Sequence, residues 1–136
     1  MKIRTLDHTA LLVKDVERTR HFYGEVLGLE EIPRPPNFTF PGIWFSMGNQ
    51  QLHVIGEATS GRASQIHPAD YQTEELAIGY CPHTAFEVDD LEEAQHILRT
   101  HAIEVVGGPR PRGDGVIQLY ILDPDGYVVE LFTRNG

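Results

Sequence analysis

The chain opens on an alternation. From residue 6 to 13, Leu6, His8, Ala10 and Leu12 fall on one face and Thr9, Leu11 and Val13 on the other. A period of two predicts a β-strand. The period then changes: Val16, Thr19, Phe22, Tyr23, Val26 and Leu27 recur at helical spacing. Asp15 precedes that run, where a carboxylate accepts hydrogen bonds from the first free N–H groups of a helix and favours the positive end of its dipole. Gly28 follows it, where a left-handed cap ends a helix. Short strands are predicted next over 29–32, 43–47 and 51–57. A second strand begins at His83 and runs to Val88, and a second helix carries Leu91, Ala94, Ile97 and Leu98 after Asp89 or Asp90. Strands are predicted over 103–106, 116–122 and 127–133. Asp123-Pro124-Asp125-Gly126 joins the last two as a hairpin, because Pro fixes φ and Gly accepts a positive φ.

The two halves are copies of each other. The ten residues from His8 to Glu17 align without a gap on those from His83 to Glu92, an offset of 75 residues (8 to 83), with His, Thr, Ala, Val, Asp and Glu identical. The same offset carries His21 onto His96. Each copy reads βαβββ, which places the chain in the α+β class. One domain is expected over 1–136, with modules at about 4–57 and 82–133 and a connection at 58–81. That connection is longer than most, and a mobile linker is its commonest form, with a lid or a dimer arm as the alternatives. Residues 34–42, rich in proline and aromatics, predict a surface loop.

Composition narrows the class. The 136 residues are 40% hydrophobic and 23% charged, an ordinary globular balance. The formal net charge of -9 repels nucleic acid and anionic lipid, so neither is expected as a partner. No apolar run reaches the ~18 residues that span a bilayer. Residues 1–5 are too short and polar for a signal peptide. Cys81 is the one cysteine, so no internal disulfide forms. A cytoplasmic location is expected.

Four polar residues stand where a core strand needs none. His8 and His83 sit at matching positions on the first strands of their modules, while His53 lies between Leu52 and Val54, and Glu130 between Val129 and Leu131, on the last strands. The intervals agree, 45 residues (8 to 53) and 47 (83 to 130). A repeated module therefore predicts two pairs related by a pseudo-twofold axis and converging on one ion. Imidazole and carboxylate suit Fe, Mn, Co, Ni or Zn, and with no thiolate cluster a structural zinc site is disfavoured. A strand histidine alone is more often solvent-facing than a ligand. The pairing across the repeat outweighs that reading. Glu130 is the strongest of the four, since a carboxylate among apolar neighbours is costly unless paired or metal-bound, and His53 is the weakest. His21, His67, His96 and His101 carry no such signal, and a lone Cys81 reads as a small packed residue.

The text around these residues resembles the vicinal oxygen chelate superfamily, which includes glyoxalase I, fosfomycin-resistance proteins, methylmalonyl-CoA epimerase, extradiol dioxygenases and bleomycin-resistance proteins. The likeness lies in His8-Thr9-Ala10-Leu11-Leu12-Val13 followed by Phe22-Tyr23 and Leu27-Gly28-Leu29, and in the closing stretch from Asp123 to Leu131. It runs from about Leu6 to Thr133. The resemblance implies two βαβββ modules forming a cupped mixed sheet, one divalent metal held by His8, His53, His83 and Glu130, a small-molecule substrate and a homodimer. Two departures bear on the reaction. His53 stands where glyoxalase I enzymes carry a carboxylate, and Gly79-Tyr80-Cys81-Pro82-His83 has a Cys and an inserted Pro in their second motif. Extradiol dioxygenases use two His and one Glu, which maps onto His8, His83 and Glu130, and place a tyrosine where Tyr120 stands. Three functions are expected in that order. The first is a glyoxalase-type lyase or isomerase that chelates vicinal oxygens and stabilises an enediolate, with Glu130 or His53 moving a proton. The second is an Fe(II) ring-cleaving dioxygenase with Tyr120 or His53 as a nearby acid. The third is an antibiotic-sequestering or thiol-transferring resistance protein, walled by Phe38, Phe40 and Trp44.

Overall fold

The computed structural model describes residues 1–134. The chain divides into two compact units, Met1–His67 and a second that begins at Pro68. Each holds one four-stranded mixed sheet with helices.

In the first unit β1 (His8–Val13) pairs in parallel with β4 (Gln50–Gly56), and β4, β3 (Gly42–Met47) and β2 (Glu30–Ile32) follow antiparallel, in the order β1-β4-β3-β2. The parallel register sets Ala10 opposite His53, and the antiparallel one sets Trp44 opposite His53. One sheet face is therefore Leu11, Val13, Ile43, Phe45, Leu52 and Val54, all buried. Against it lies α1 (Val16–Arg20), which widens into a π-helical stretch at His21–Val26 and presents Phe22, Tyr23 and Val26. Burying a side chain such as Phe45 contributes about 1.5–3 kcal/mol. The predicted cap is present: Asp15 accepts from the N–H groups of Glu17 and Arg18. The helical period predicted one regular helix, but the closing bond runs five residues back, from Leu27 N–H to the Phe22 carbonyl at 2.9 Å. Gly28 then turns the chain at φ 80°.

The second unit repeats the plan. β5 (Thr84–Glu87) pairs in parallel with β8 (Val128–Thr133), and β8, β7 (Ile117–Leu122) and β6 (Val105–Pro111) follow antiparallel, in the order β5-β8-β7-β6. Its long helix, labelled α4 in chain order (Leu91–Thr100), is capped by Asp90, not Asp89. In the hairpin turn Asp123 Oδ1 accepts from the N–H groups of Asp125 and Tyr127, both at 2.9 Å, and Gly126 takes φ 81°.

Three expectations are corrected. The connection, for which no secondary structure was predicted, holds α2 (Arg62–Ile66) and α3 (Thr73–Ile78). Gly107 makes room for the second of these, since a Cβ there would overlap the carbonyls of Leu76 and Ala77. β6 starts two residues later and runs five residues further than the apolar pattern of 103–106 indicated, because Pro109 and Pro111 are accommodated in an edge strand with register shifts. His83 precedes β5 by one residue and is not in it. Among the described residues no helix is long and apolar enough to cross a membrane.

Candidate metal centre

The first unit brings His8 and His53 together. Both lie on the sheet face opposite α1, and their rings stack at 4.0 Å between centroids. Trp44 stacks on the other side of His53, also at 4.0 Å and within 4° of parallel. His53 is thus a middle layer, and its Nε2 meets Gln51 Oε1 at 2.7 Å. Burial, and then the neighbouring His8, hold its pKa below the ordinary histidine value, so it favours the neutral imidazole. His8 is more open, with 43% of its side chain exposed, and its Nδ1 meets the Asp7 carboxylate at 2.7 Å.

The second unit brings His83 and Glu130 together. Glu130 is 4% exposed, in a strand whose every residue is buried. It is not isolated. Tyr120 is its register partner on β7, and Gln118 lies two residues away on the same face. The Gln118 side-chain amide donates to the Tyr120 hydroxyl and reaches Glu130 Oε1 at 3.5 Å. Gln118 Oε1 has no partner among the described residues. Burial, and then the charge of Glu130, push the Tyr120 phenol above its ordinary value, so it stays a protonated donor at neutral pH. Gly79, at φ 69°, lies against the Tyr120 ring so closely that a Cβ would overlap it.

His83 completes this cluster. Its Nδ1 lies 2.7 Å from the Cys81 carbonyl, an atom that only accepts, so Nδ1 carries the proton and donates it. In the neutral ring Nε2 then bears a lone pair, and that nitrogen stands 3.3 Å from Glu130 Oε1. Two lone-pair atoms facing each other at this distance need a proton or a cation to share. With metal–N and metal–O bonds near 2.0–2.2 Å, neighbouring ligand atoms in tetrahedral or octahedral coordination lie roughly 3.0–3.5 Å apart. The pair fits one edge of such a polyhedron. The acceptors on the Nδ1 atoms of His8 and His83 are also what metal-ligating histidines use to fix tautomer and ring orientation.

Each unit therefore assembles one pair, and among the described residues no group of three or more His, Cys, Asp or Glu side chains is arranged to hold a metal ion. Gln51, Gln118 and the stacking of Trp44 on His53 were not foreseen as parts of the site. For the two glutamines a signal existed, since each sits two residues before a candidate and so shares its face.

Two mixed sheets of identical strand order, each with a pair of metal-type donors, define a duplicated βαβββ fold with oxygen- and nitrogen-donor chemistry. The family model of the Glyoxalase/Bleomycin resistance protein/Dioxygenase superfamily matches residues 5–131. The chain is 31% identical over 133 residues to a lactoylglutathione lyase of Neisseria meningitidis serogroup A, covering 95% of this chain and 90% of that one. A glyoxalase family protein from Bacillus anthracis superposes with a TM-score of 0.73 at 29% identity, covering 98% and 97%. A glyoxalase/dioxygenase from Nostoc punctiforme does so with a TM-score of 0.74 at 27% identity, covering 96% and 90%. The chain belongs to the Glyoxalase/Bleomycin resistance protein/Dioxygenase superfamily, and its likeness to a lyase over nearly its whole length makes it an enzyme of that group.

Proposed function

We propose that the protein is a divalent-metal-dependent enzyme of glyoxalase type, acting as a lyase or isomerase on a small substrate that carries two neighbouring oxygens. His8, His83 and Glu130 would hold the ion, joined by His53. The observation that carries this reading is His83 Nε2 set 3.3 Å from the buried Glu130 carboxylate. The ion, when bound, supplies positive charge against which the substrate oxygens can build negative charge. Glu130 is the base best placed to move a proton between adjacent substrate carbons, because its burial keeps water away from the transfer. Tyr120 donates a hydrogen bond in the same cluster, and Gln118 ties its hydroxyl in place.

One observation favours a second reading. His53 is engaged by Gln51 and sandwiched between two rings, which leaves His8, His83 and Glu130 as a two-histidine, one-carboxylate set. That set suits Fe(II) and oxygenase chemistry, with Tyr120 as the adjacent acid. The expected assembly is a homodimer, checked by light scattering.

Metal content by mass spectrometry, wild type beside His83→Ala, tests the site. Near-stoichiometric metal in the wild type that disappears in the variant supports it. Nickel or zinc, with thioester formation from the hemithioacetal of 2-oxopropanal and glutathione, supports the lyase. Iron with O2-dependent cleavage of a catechol supports the second reading. No metal after anaerobic reconstitution with each candidate ion defeats both and leaves a sequestering protein.

A further inference from the structure

The seat of α3 on the second sheet is made by packing, not by hydrogen bonds. Among the described residues, 72–82 bond only to one another and to His83. Two glycines make the contact. The carbonyls of Leu76 and Ala77 fill the space that a side chain on Gly107 would need, and the backbone at Gly79 lies against the hydroxyl end of the Tyr120 ring. Gly107 and Tyr120 are register partners, so both contacts fall on one row of the sheet. Tyr120 has no room to step aside. It is 2% exposed, its hydroxyl is tied to the Gln118 amide, and its ring meets His83 edge to face at 5.6 Å.

Gly79 meets two demands, and Gly28 meets only one of them. Both follow a helix and hold a positive φ, 69° at Gly79 and 80° at Gly28. A Cβ on Gly28 would meet nothing within 4 Å, whereas one on Gly79 would overlap the Tyr120 ring. The left-handed turn alone accepts Asn in place of Gly. The contact with Tyr120 accepts no side chain. Two residues further on, the Cys81 carbonyl accepts from His83 Nδ1–H at 2.7 Å, which leaves Nε2 facing Glu130 Oε1 at 3.3 Å. Little slack lies between these points, because Pro82 has a fixed φ and disfavours helical backbone at Cys81. A displacement at Gly79 is therefore carried to the Cys81 carbonyl.

We propose that Gly79 is a positioning residue for His83. Its bare backbone lets the segment settle on Tyr120, and that seat sets the Cys81 carbonyl where it fixes the tautomer and aim of the imidazole. A Cβ at Gly79 lifts the segment, the carbonyl leaves Nδ1, and the ring is free to take the Nε2–H form, which no longer turns a lone pair towards Glu130. An acceptor on the second ring nitrogen is what orients a ligating histidine. The effect on a bound ion rests on the metal-dependent reading above; the control of the His83 tautomer does not.

Nitrogen-15 NMR of the imidazoles reads the tautomer directly in metal-stripped protein, at a pH where histidine is neutral, with His83 assigned by its absence from His83→Ala. The wild type should show His83 as the Nδ1–H form. Gly79→Ala should lose that preference, and so should Gly79→Asn, which keeps the left-handed cap and adds the same Cβ. Zinc affinity, measured in competition with a chelator, should fall at least about tenfold in both, the low end for partners of ligating histidines. Gly28→Ala, with a comparable φ and no contact, should change neither reading. In a Tyr120→Leu background the further loss from Gly79→Ala should shrink, because the Cβ then meets no ring. Circular dichroism checks that each variant folds. An Nε2–H ring at His83 in the wild type, an unmoved tautomer in either folded Gly79 variant, an equal change in Gly28→Ala, or an undiminished loss in the Tyr120→Leu background each overturns the proposal. The expected tautomers in protein that binds no zinc would sink the metal reading and leave the positioning role, and zinc loss in Gly79→Ala with the tautomer unmoved would do the reverse.

Discussion

The two sheets share a strand order and a helix cap, yet they treat their polar pairs in opposite ways. In the first unit the pair is two imidazoles, one of them open to solvent and the other layered between His8 and Trp44. In the second the pair is an imidazole and a carboxylate, and the carboxylate sits in a strand buried on both faces beside Tyr120 and Gln118. The scaffold occurs twice, and the one anionic residue of the proposed ligand set lies in the drier copy. A buried carboxylate costs stability unless a cation or several hydrogen bonds offset it. The first copy holds no carboxylate in this pair, and burial favours the neutral ring of His53. The anionic member of the proposed ligand set thus lies in one module, and the stacked rings lie in the other.

The sharpest way to break this contrast is Glu130→Gln. It removes the charge and keeps the shape. Metal retention is expected to be abolished, a loss of at least about 100-fold in affinity, since no other candidate ligand is anionic. The same change should stabilise the metal-free protein, because the buried charge goes and an amide can still be hydrogen-bonded. A gain of ~1 kcal/mol would raise Tm by roughly 2–6 °C in a chain of this size. Full metal occupancy in the variant, measured by mass spectrometry, would end the site model. A lower Tm without metal would show that Glu130 is held by more than its neighbours in the cluster.

A second test asks the two histidine environments to differ. His83→Ala removes a ring whose tautomer is fixed by the Cys81 carbonyl and whose Nε2 faces Glu130. His53→Ala removes a ring that is already bonded to Gln51. Metal affinity should fall more at His83, by about tenfold relative to His53. Equal losses in a chelator competition would make His53 a full ligand, and a larger loss at His53 would reverse the ranking. Tyr120→Phe should lower kcat by about tenfold and leave metal content unchanged, because it deletes only a donor. Loss of metal alongside activity would instead give the hydroxyl a part in holding the ion.

Much of this was legible in the residues themselves. The repeat of His8 to Glu17 in His83 to Glu92 predicted both modules and both caps, since Asp15 and Asp90 occupy equivalent positions. The period of two assigned His8 and His53 to the face away from the core. What the pattern did not carry was anything set by tertiary contact. The π-helical widening at His21–Val26 leaves the apolar spacing almost unchanged, so periodicity cannot see it. The helices of the connection are five and six residues long, too short for a period to emerge. Residues 34–42 read as a surface loop, yet Arg34 Nη1 is buried in space that a side chain on Gly42 would fill.

The smallest expected effect separates two ways of fixing a histidine. His83 uses a backbone carbonyl to hold Nδ1–H, whereas His8 uses the side chain of Asp7, which is 78% exposed. A backbone acceptor is set by the fold and costs no side-chain entropy. An exposed carboxylate must be ordered first, and water competes for it. Asp7→Asn retains an acceptor but loses the charge, so it should weaken metal binding by only about two- to fivefold, at the low end of what partners of ligating histidines contribute. Raising the ionic strength should shrink the difference between variant and wild type, because screening acts on the charge and not on the hydrogen bond. A tenfold or greater loss that persists at 1 M salt would mean that Asp7 does more than orient His8.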